Sequence, residues 1–304
     1  MEQTVIAPNK IVQNETHAKT IYEQGYFVVD FLDEKQVEAI KEYYGKHHDF
    51  GKNDGGNFWT IYSQDENYKR ETHNFIEAVI GETKNQYLSG YKTLINAFVI
   101  KLPGAKSSFN IHQDTTAMDE TQYSPLSIWI PLDDVDEKNG CLYIVPHTQH
   151  YTSYYRAVTI PSPFTEIESI LMPYGIPVKM KKGQALFFDN RALHFSPPNV
   201  TDTIRVAVVC GVMPTEATYI NCYMDRNKQV EIYEQEDSFI FSNTQFLKNN
   251  DQRPLAGKLL KTFMLNQPTY SAVDWQEICK AKGLTPQNSW NKLPLANPVS
   301  EPKG

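Results

Sequence analysis

The chain has 304 residues, 40% hydrophobic and 21% charged, a balance that suits a globular protein with a sizeable core. Its net charge of −7 argues against nucleic acid or an anionic membrane surface as a partner. The opening MEQTVIAPNK lacks a basic stretch followed by an apolar run, and no apolar segment approaches the ~20 residues that cross a bilayer. Neither a signal peptide nor a membrane span is therefore expected. The scattered cysteines Cys141, Cys210, Cys222 and Cys279 suit free thiols in a reducing cytoplasm.

Residues 1–15 are polar and read as loose. ETHAKTIYEQ (15–24) reads as a short helix and GYFVVDFL (25–32) as a strand. Asp33 then serves as N-cap for EKQVEAIKEYY, whose apolar residues recur at helical spacing. DFGKNDGGNFWT (49–60) is a loop by its Gly, Asn and Asp content, and HNFIEAVIGET (73–83) is a helix. From residue 92 the period changes. KTLINAFVIKL, FNIHQD, LSIWIPL, CLYIVP, PVKMKKG, ALFFD and TIRVAVVCGVM are short β-rich runs split by turn signals such as DEKNG and SPPNVTD. Many short strands joined by loops predict an antiparallel sandwich or barrel. PLAGKLLKTFML (254–265) and AVDWQEICKAKG (272–283) read as C-terminal helices, followed by a Pro- and Asn-rich tail. The expected organisation is a single domain over 1–304: N-terminal helices and a strand (16–90), a β core (91–215), C-terminal strands and helices (216–285) and a tail (286–304).

On a strand, residues i and i+2 share a face, so FNIHQD projects His112 and Asp114 together and turns Gln113 away. An imidazole beside a carboxylate offers two ligands to a divalent transition metal, or is an ordinary pair on a surface strand. The pair alone does not decide. GQALFFDNRALHFSPPNVTDTIRVAVVC adds His194 after an apolar strand and Arg205 at the head of the next β-branched run. Two histidines and a carboxylate form the facial triad of non-heme Fe(II) oxygenases, which leaves coordination positions open. Such enzymes commonly use 2-oxoglutarate, whose far carboxylate an arginine fork binds bidentately; Arg205 is placed for that task.

KLPGAKSSFNIHQD, SIWIPLDDVDEKNGCLYIVPHTQH and GQALFFDNRALHFSPPNVTDTIRVAV, with the opening GYFVVDFLDEKQVEAIKEYY, resemble the phytanoyl-CoA dioxygenase family of Fe(II)/2-oxoglutarate oxygenases over about 20–215. The resemblance implies a double-stranded β-helix, that is, a jelly roll with flanking helices. It assigns His112, Asp114 and His194 to iron and Arg205 to the co-substrate, with Asn96, Thr115, Trp129 and Ser196 lining the 2-oxoglutarate pocket. It further implies O2-dependent hydroxylation of an unactivated C–H bond, with succinate and CO2 as co-products. Asp114 fills the position that related halogenases leave to chloride, which favours hydroxylation or desaturation. One departure is visible: PHTQ (146–149) stands where the family usually has Pro-Gly-Ser-His.

The remaining polar features read as structural. His147 and His150 follow a proline in a loop, His47 and His48 end a helix where cations are favoured, and the KMKK lysines suit a solvated strand edge. The aromatic stretches NFWTIY and HYTSYY are candidate lid segments, and loops near 49–72, 147–175 and 215–250 are expected to set substrate choice. The substrate expected is a small metabolite, an amino acid or natural-product intermediate. A peptide hydroxylase and a metal-binding but inactive jelly roll are the rival readings. Oligomeric state is not legible.

Overall fold

The computed structural model describes residues 7–48, 56–243, 253–254 and 256–287. The polar start (1–6), most of the expected loop (49–55) and nearly all of the expected tail (288–304) lie outside these residues. No helix among those described is long and apolar enough to cross a membrane.

The N-terminal helices form where local chemistry asks for them. Helix α1 (Glu15–Gln24) starts at Asn14, whose side chain accepts from the His17 N–H. It stops at Gly25, held at φ 92°, where an added Cβ would also meet the Gln149 side chain at 2.9 Å. Strand β1 (Tyr26–Asp30) follows, then α2 (Glu34–His47), opened by a reciprocal Asp33–Gln36 capping box. Helix α3 (Glu66–Lys84) begins seven residues before the sequence suggested, because Asp65 caps it by accepting from the Tyr68 N–H.

Among the described residues, a six-stranded antiparallel sheet runs in the order β1, β8 (Gln184–Asp189), β5 (Leu126–Pro131), β10 (Arg205–Pro214), β3 (Tyr91–Lys101), β2 (Asn57–Trp59). A four-stranded sheet runs β4 (Phe109–His112), β9 (His194–Ser196), β6 (Tyr143–Ile144), β7 (Ile176–Pro177). Side-chain alternation along β10 shows how they layer. Val206 and Val208 join Ile40, Ile76 and Phe187 in a core between the large sheet and the helices. Ala207 and Val209 point the other way, into a core shared with Ile111, Tyr143 and Phe195 of the small sheet. The two facing sheets make the jelly roll. Fully burying each of Ile40, Ile76 and Ile80 stabilises by about 1.5–3 kcal/mol, which fixes the helices on the outer face.

Three expectations fail. Residues 57–59 lie in the stretch read as a loop, yet form β2, with Trp59 paired to Val99. PVKMKKG contributes only its first residue to β7; beyond it Met180 makes a lone bridge to Val135, and Lys179, Lys181 and Lys182 pair with Glu137, Asp134 and Glu34 on the surface. The segment 254–265, read as a helix, contains strand β13 (Lys258–Met264), the edge of a third sheet with β11 (Ile220–Met224) and β12 (Gln229–Glu234). Its spaced Leu259, Leu260 and Met264 mimic a helical stripe, but they are 50%, 48% and 61% exposed. No core rewards a helix there, and ladder hydrogen bonds to β12 decide instead. A one-turn α4 (Glu168–Leu171) and α5 (Phe239–Ser242) sit in the connections, and α6 (Ala272–Lys282) closes the described chain, with Trp275 fully buried.

Candidate metal and co-substrate site

His112 ends β4 and lies opposite His194, the first residue of β9, so the sheet register brings the two rings to 4.2 Å between centroids. Asp114 arrives differently from the expectation. It lies past the end of β4, and its N–H donates to the Asn190 carbonyl at 2.9 Å. Gln113 spans the same gap through its side-chain amide, which donates to the Arg191 carbonyl. Shared strand facing therefore does not unite His112 and Asp114; the loop that carries His194 captures the chain after His112. That loop is firmly held. Arg191 is buried and forks onto Asp189 at 2.7 and 2.9 Å, and the Leu193 N–H donates to Thr148 Oγ1 at 2.8 Å.

The donor atoms of His112, Asp114 and His194 all lie within 4.8 Å of one another. Each imidazole Nε2 is 3.7 Å from Asp114 Oδ1, too far for a hydrogen bond and close enough for a shared cation. Each Nδ1 is engaged by a backbone carbonyl, Asn110 at 2.8 Å and Ala192 at 3.0 Å. That fixes the proton on Nδ1 and leaves both Nε2 lone pairs directed at the same point as the carboxylate. Burial, and then the neighbouring His194, lowers the His112 pKa to about 4, so this ring is neutral at neutral pH and its Nε2 lone pair is available to a metal. Two imidazole nitrogens and one carboxylate oxygen fit a divalent transition metal.

Arg205 is buried and stacks over Trp129, with its guanidinium carbon 5.2 Å from the ring centroid. One Nη donates weakly to the Val99 carbonyl at 3.4 Å, and Nε has no partner. Burial lowers its pKa to about 9. Directly across the β10–β3 ladder stands Lys101, buried, donating to the carbonyls of Ser196 and Pro197. Burial, and then the charge of Arg205, hold its pKa well below that of an ordinary lysine. Neither cation has a carboxylate partner among the described residues. An unneutralised pair of this kind is a strong anion seat. The sequence reading missed Lys101; its signal is a lysine closing the apolar run INAFVIK.

The other expected co-substrate residues divide. Trp129 is buried between the sheets under Arg205, and exposed Thr115 lines the cavity described below. Ser196 is buried with its hydroxyl donating to the Gly140 carbonyl at 2.8 Å. Asn96 is on the wrong face. Its side chain donates to Glu77 at 2.8 Å and its N–H to His73 Nδ1 at 3.0 Å, both on α3. A polar residue in an apolar strand needed a partner, and the helix supplies it.

A cavity of about 420 Å³ opens onto His112 and Asp114. All three loop regions named from the sequence contribute to its wall, through residues that include Trp59 and Tyr62, Arg156 and Glu168, and Tyr219 and Asn221. Burial, and then the Asp114 charge, raise the Tyr62 phenol pKa, as expected for a ring beside the triad. His150 lies at another surface, its Nε2 2.8 Å from the Tyr22 carbonyl, and His147 lines the same shallow cleft.

Fold and site together define a jelly roll carrying a two-histidine, one-carboxylate cluster. Residues 21–207, more than half of the chain, match the phytanoyl-CoA dioxygenase (PhyH) family, and the chain belongs to it. Phytanoyl-CoA dioxygenase domain-containing protein 1 of Danio rerio is 26% identical over 159 residues, covering 50% of this chain and 54% of that protein. The Dictyostelium discoideum homolog is 26% identical over 150 residues, covering 46% and 50%. The chain thus spans about half the length of the curated relatives it matches. Among solved structures, the epimerase SnoN in complex with Fe3+, alpha ketoglutarate and nogalamycin RO shares the fold at TM-score 0.50 and 19% identity, over 81% of this chain and 95% of that one.

Proposed function

We propose that the chain is an Fe(II)/2-oxoglutarate-dependent dioxygenase that hydroxylates an unactivated C–H bond of a small metabolite, with succinate and CO2 as co-products. The observation that carries this reading is the meeting of His112, Asp114 and His194 at one point, in a roll that also buries two unneutralised cations, Arg205 and Lys101. The three side chains would hold Fe(II), which supplies activation of O2 and oxidative decarboxylation of the co-substrate. Arg205 would take the far carboxylate of 2-oxoglutarate, pre-oriented by Trp129.

Anaerobic calorimetric titration of 2-oxoglutarate into the Fe(II)-loaded protein tests the reading. Binding that needs the metal, is lost in His112→Ala and weakens at least tenfold in Arg205→Met supports it. Metal binding without any 2-oxoglutarate binding would sink the dioxygenase assignment.

A further inference from the structure

The cavity at the triad has a chemical character that narrows its substrate, given the dioxygenase reading above. Its aromatic side is layered: Trp59 stacks on Phe109 at 5.5 Å and on Tyr62 at 5.8 Å between centroids, and Phe109 in turn lies 5.2 Å from His112. Aliphatic residues such as Ile160 complete the wall. An apolar or aromatic body fits such a surface.

The charges point in one direction. The cavity's cation, Arg156, is already neutralised: its Nη atoms reach Glu120 at 2.6 and 2.7 Å, and its Nε donates to the Asp114 carbonyl at 2.7 Å. Among the described residues of the wall, no unneutralised cation is left to pair with a substrate carboxylate or phosphate. The wall's second carboxylate after Asp114, Glu168, has the opposite status. It forms no ion pair among the described residues, and burial raises its pKa. Partly buried at the edge of an apolar cavity, this carboxylate is open to a cation that a ligand brings. Asn221 gives an independent sign that the cavity is built to receive a ligand. It is 4% exposed, it lines the cavity, and its side-chain oxygen has no partner.

We propose that this cavity takes a substrate with an apolar or aromatic body bearing a basic amine and no negative charge, and that Glu168 reads the amine. This excludes acyl-coenzyme A thioesters and carboxylate-anchored amino acids from the site.

Three matched probes test it by calorimetry on the metal-free protein: phenylbutylamine, phenylbutanamide and phenylbutyrate. The amine is expected to bind at least tenfold tighter than the carboxylate. Glu168→Gln is expected to remove at least tenfold of the amine's affinity while leaving the amide's in place, with thermal melting confirming that the variant is folded. The proposal is overturned if phenylbutyrate binds as tightly as the amine, if Glu168→Gln leaves the amine unchanged (as when Asp114 holds it), or if no probe binds. The probes are titrated without iron or 2-oxoglutarate. Failure here therefore leaves the dioxygenase reading standing, and failure of the co-substrate titration leaves this result interpretable.

Discussion

Arg156 holds the main chain of Asp114: its Nε donates to the Asp114 carbonyl at 2.7 Å while the rest of its fork is spent on Glu120. The ion pair is nearly solvent-free, with side chains 7% and 0% exposed, and Thr116 ties the same two segments by exchanging hydrogen bonds with Arg156 and Tyr154. Since Asp114 lies outside β4, this clamp replaces the strand as the device that positions its carboxylate.

Two variants separate the clamp's two roles. Arg156→Met strands a buried carboxylate and is expected to cost about 3–5 kcal/mol in urea denaturation. Adding Glu120→Leu removes that charge and should restore most of the stability. Metal affinity should stay at least about tenfold weaker in the double variant, as for lost outer-shell support. Wild-type metal affinity in the double variant would show that the Asp114 carbonyl bond positions nothing.

The facing cations Arg205 and Lys101 repel each other until an anion arrives. Saturating 2-oxoglutarate, at about 100 times its Kd with metal present, is expected to stabilise the wild type by about 2.7 kcal/mol. Arg205→Met, at least tenfold weaker in binding, should lose about half of that gain or more at the same concentration. Lys101→Met should weaken co-substrate binding by about tenfold, near the 1.5–3 kcal/mol of a charge-assisted hydrogen bond. Unchanged affinity in Lys101→Met would reduce that residue to a tie between β3 and the carbonyls after His194.

What the sequence made legible follows from where each constraint lies. The apolar runs around 92–102, 126–132, 185–189 and 203–213 are mostly buried, so composition announced strands β3, β5, β8 and β10. Asn14, Asp33 and Asp65 act within four residues; the first two helix starts were readable, and the third was obscured by the polar first turns of α3. His112, Asp114 and His194 were legible as a set through the family resemblance, while the reason for their meeting was not: it depends on the Asn190 carbonyl and on Arg156, 76 and 42 residues from Asp114. Glu168 and Asn221 carry no local signal, since each matters only by facing a cavity built from distant loops. Asn96 was misplaced for the same reason: its partner, α3, is 19 residues upstream in sequence.

His147 takes φ 67° in PHTQ, at the position where the family resemblance implies glycine. A left-handed backbone costs a residue with a Cβ about 1–2 kcal/mol, and histidine is among those that tolerate it. His147→Gly is expected to raise stability by about 1 kcal/mol, less whatever glycine gives up in unfolded-state entropy. Thr148 in the same turn donates to the Val145 carbonyl and accepts from the Leu193 N–H, so relaxing this turn should leave His194 in place. A lowered melting temperature in His147→Gly would mean that the imidazole contributes more than its backbone strain removes.

His73 contributes to stability against acid. Its Nδ1 accepts from the Asn96 N–H at 3.0 Å, and burial, against an opposing pull from Glu77, lowers its pKa from 6.5. The neutral ring is thus the one the fold favours. Below pH 6.5 the unfolded chain takes up a proton that the folded chain resists, so this contribution is fully present above 6.5 and declines as pH falls. His73→Gln offers the Asn96 N–H a side-chain oxygen without titrating. Between pH 6.5 and 5 its stability should fall less steeply than that of the wild type, by up to about 1.4 kcal/mol per pH unit for one proton. His112, His147 and His150, also lowered by burial, remain in both proteins and cancel in the comparison. Parallel stability curves for the two proteins over that range would show that His73 is not the residue whose protonation the fold opposes.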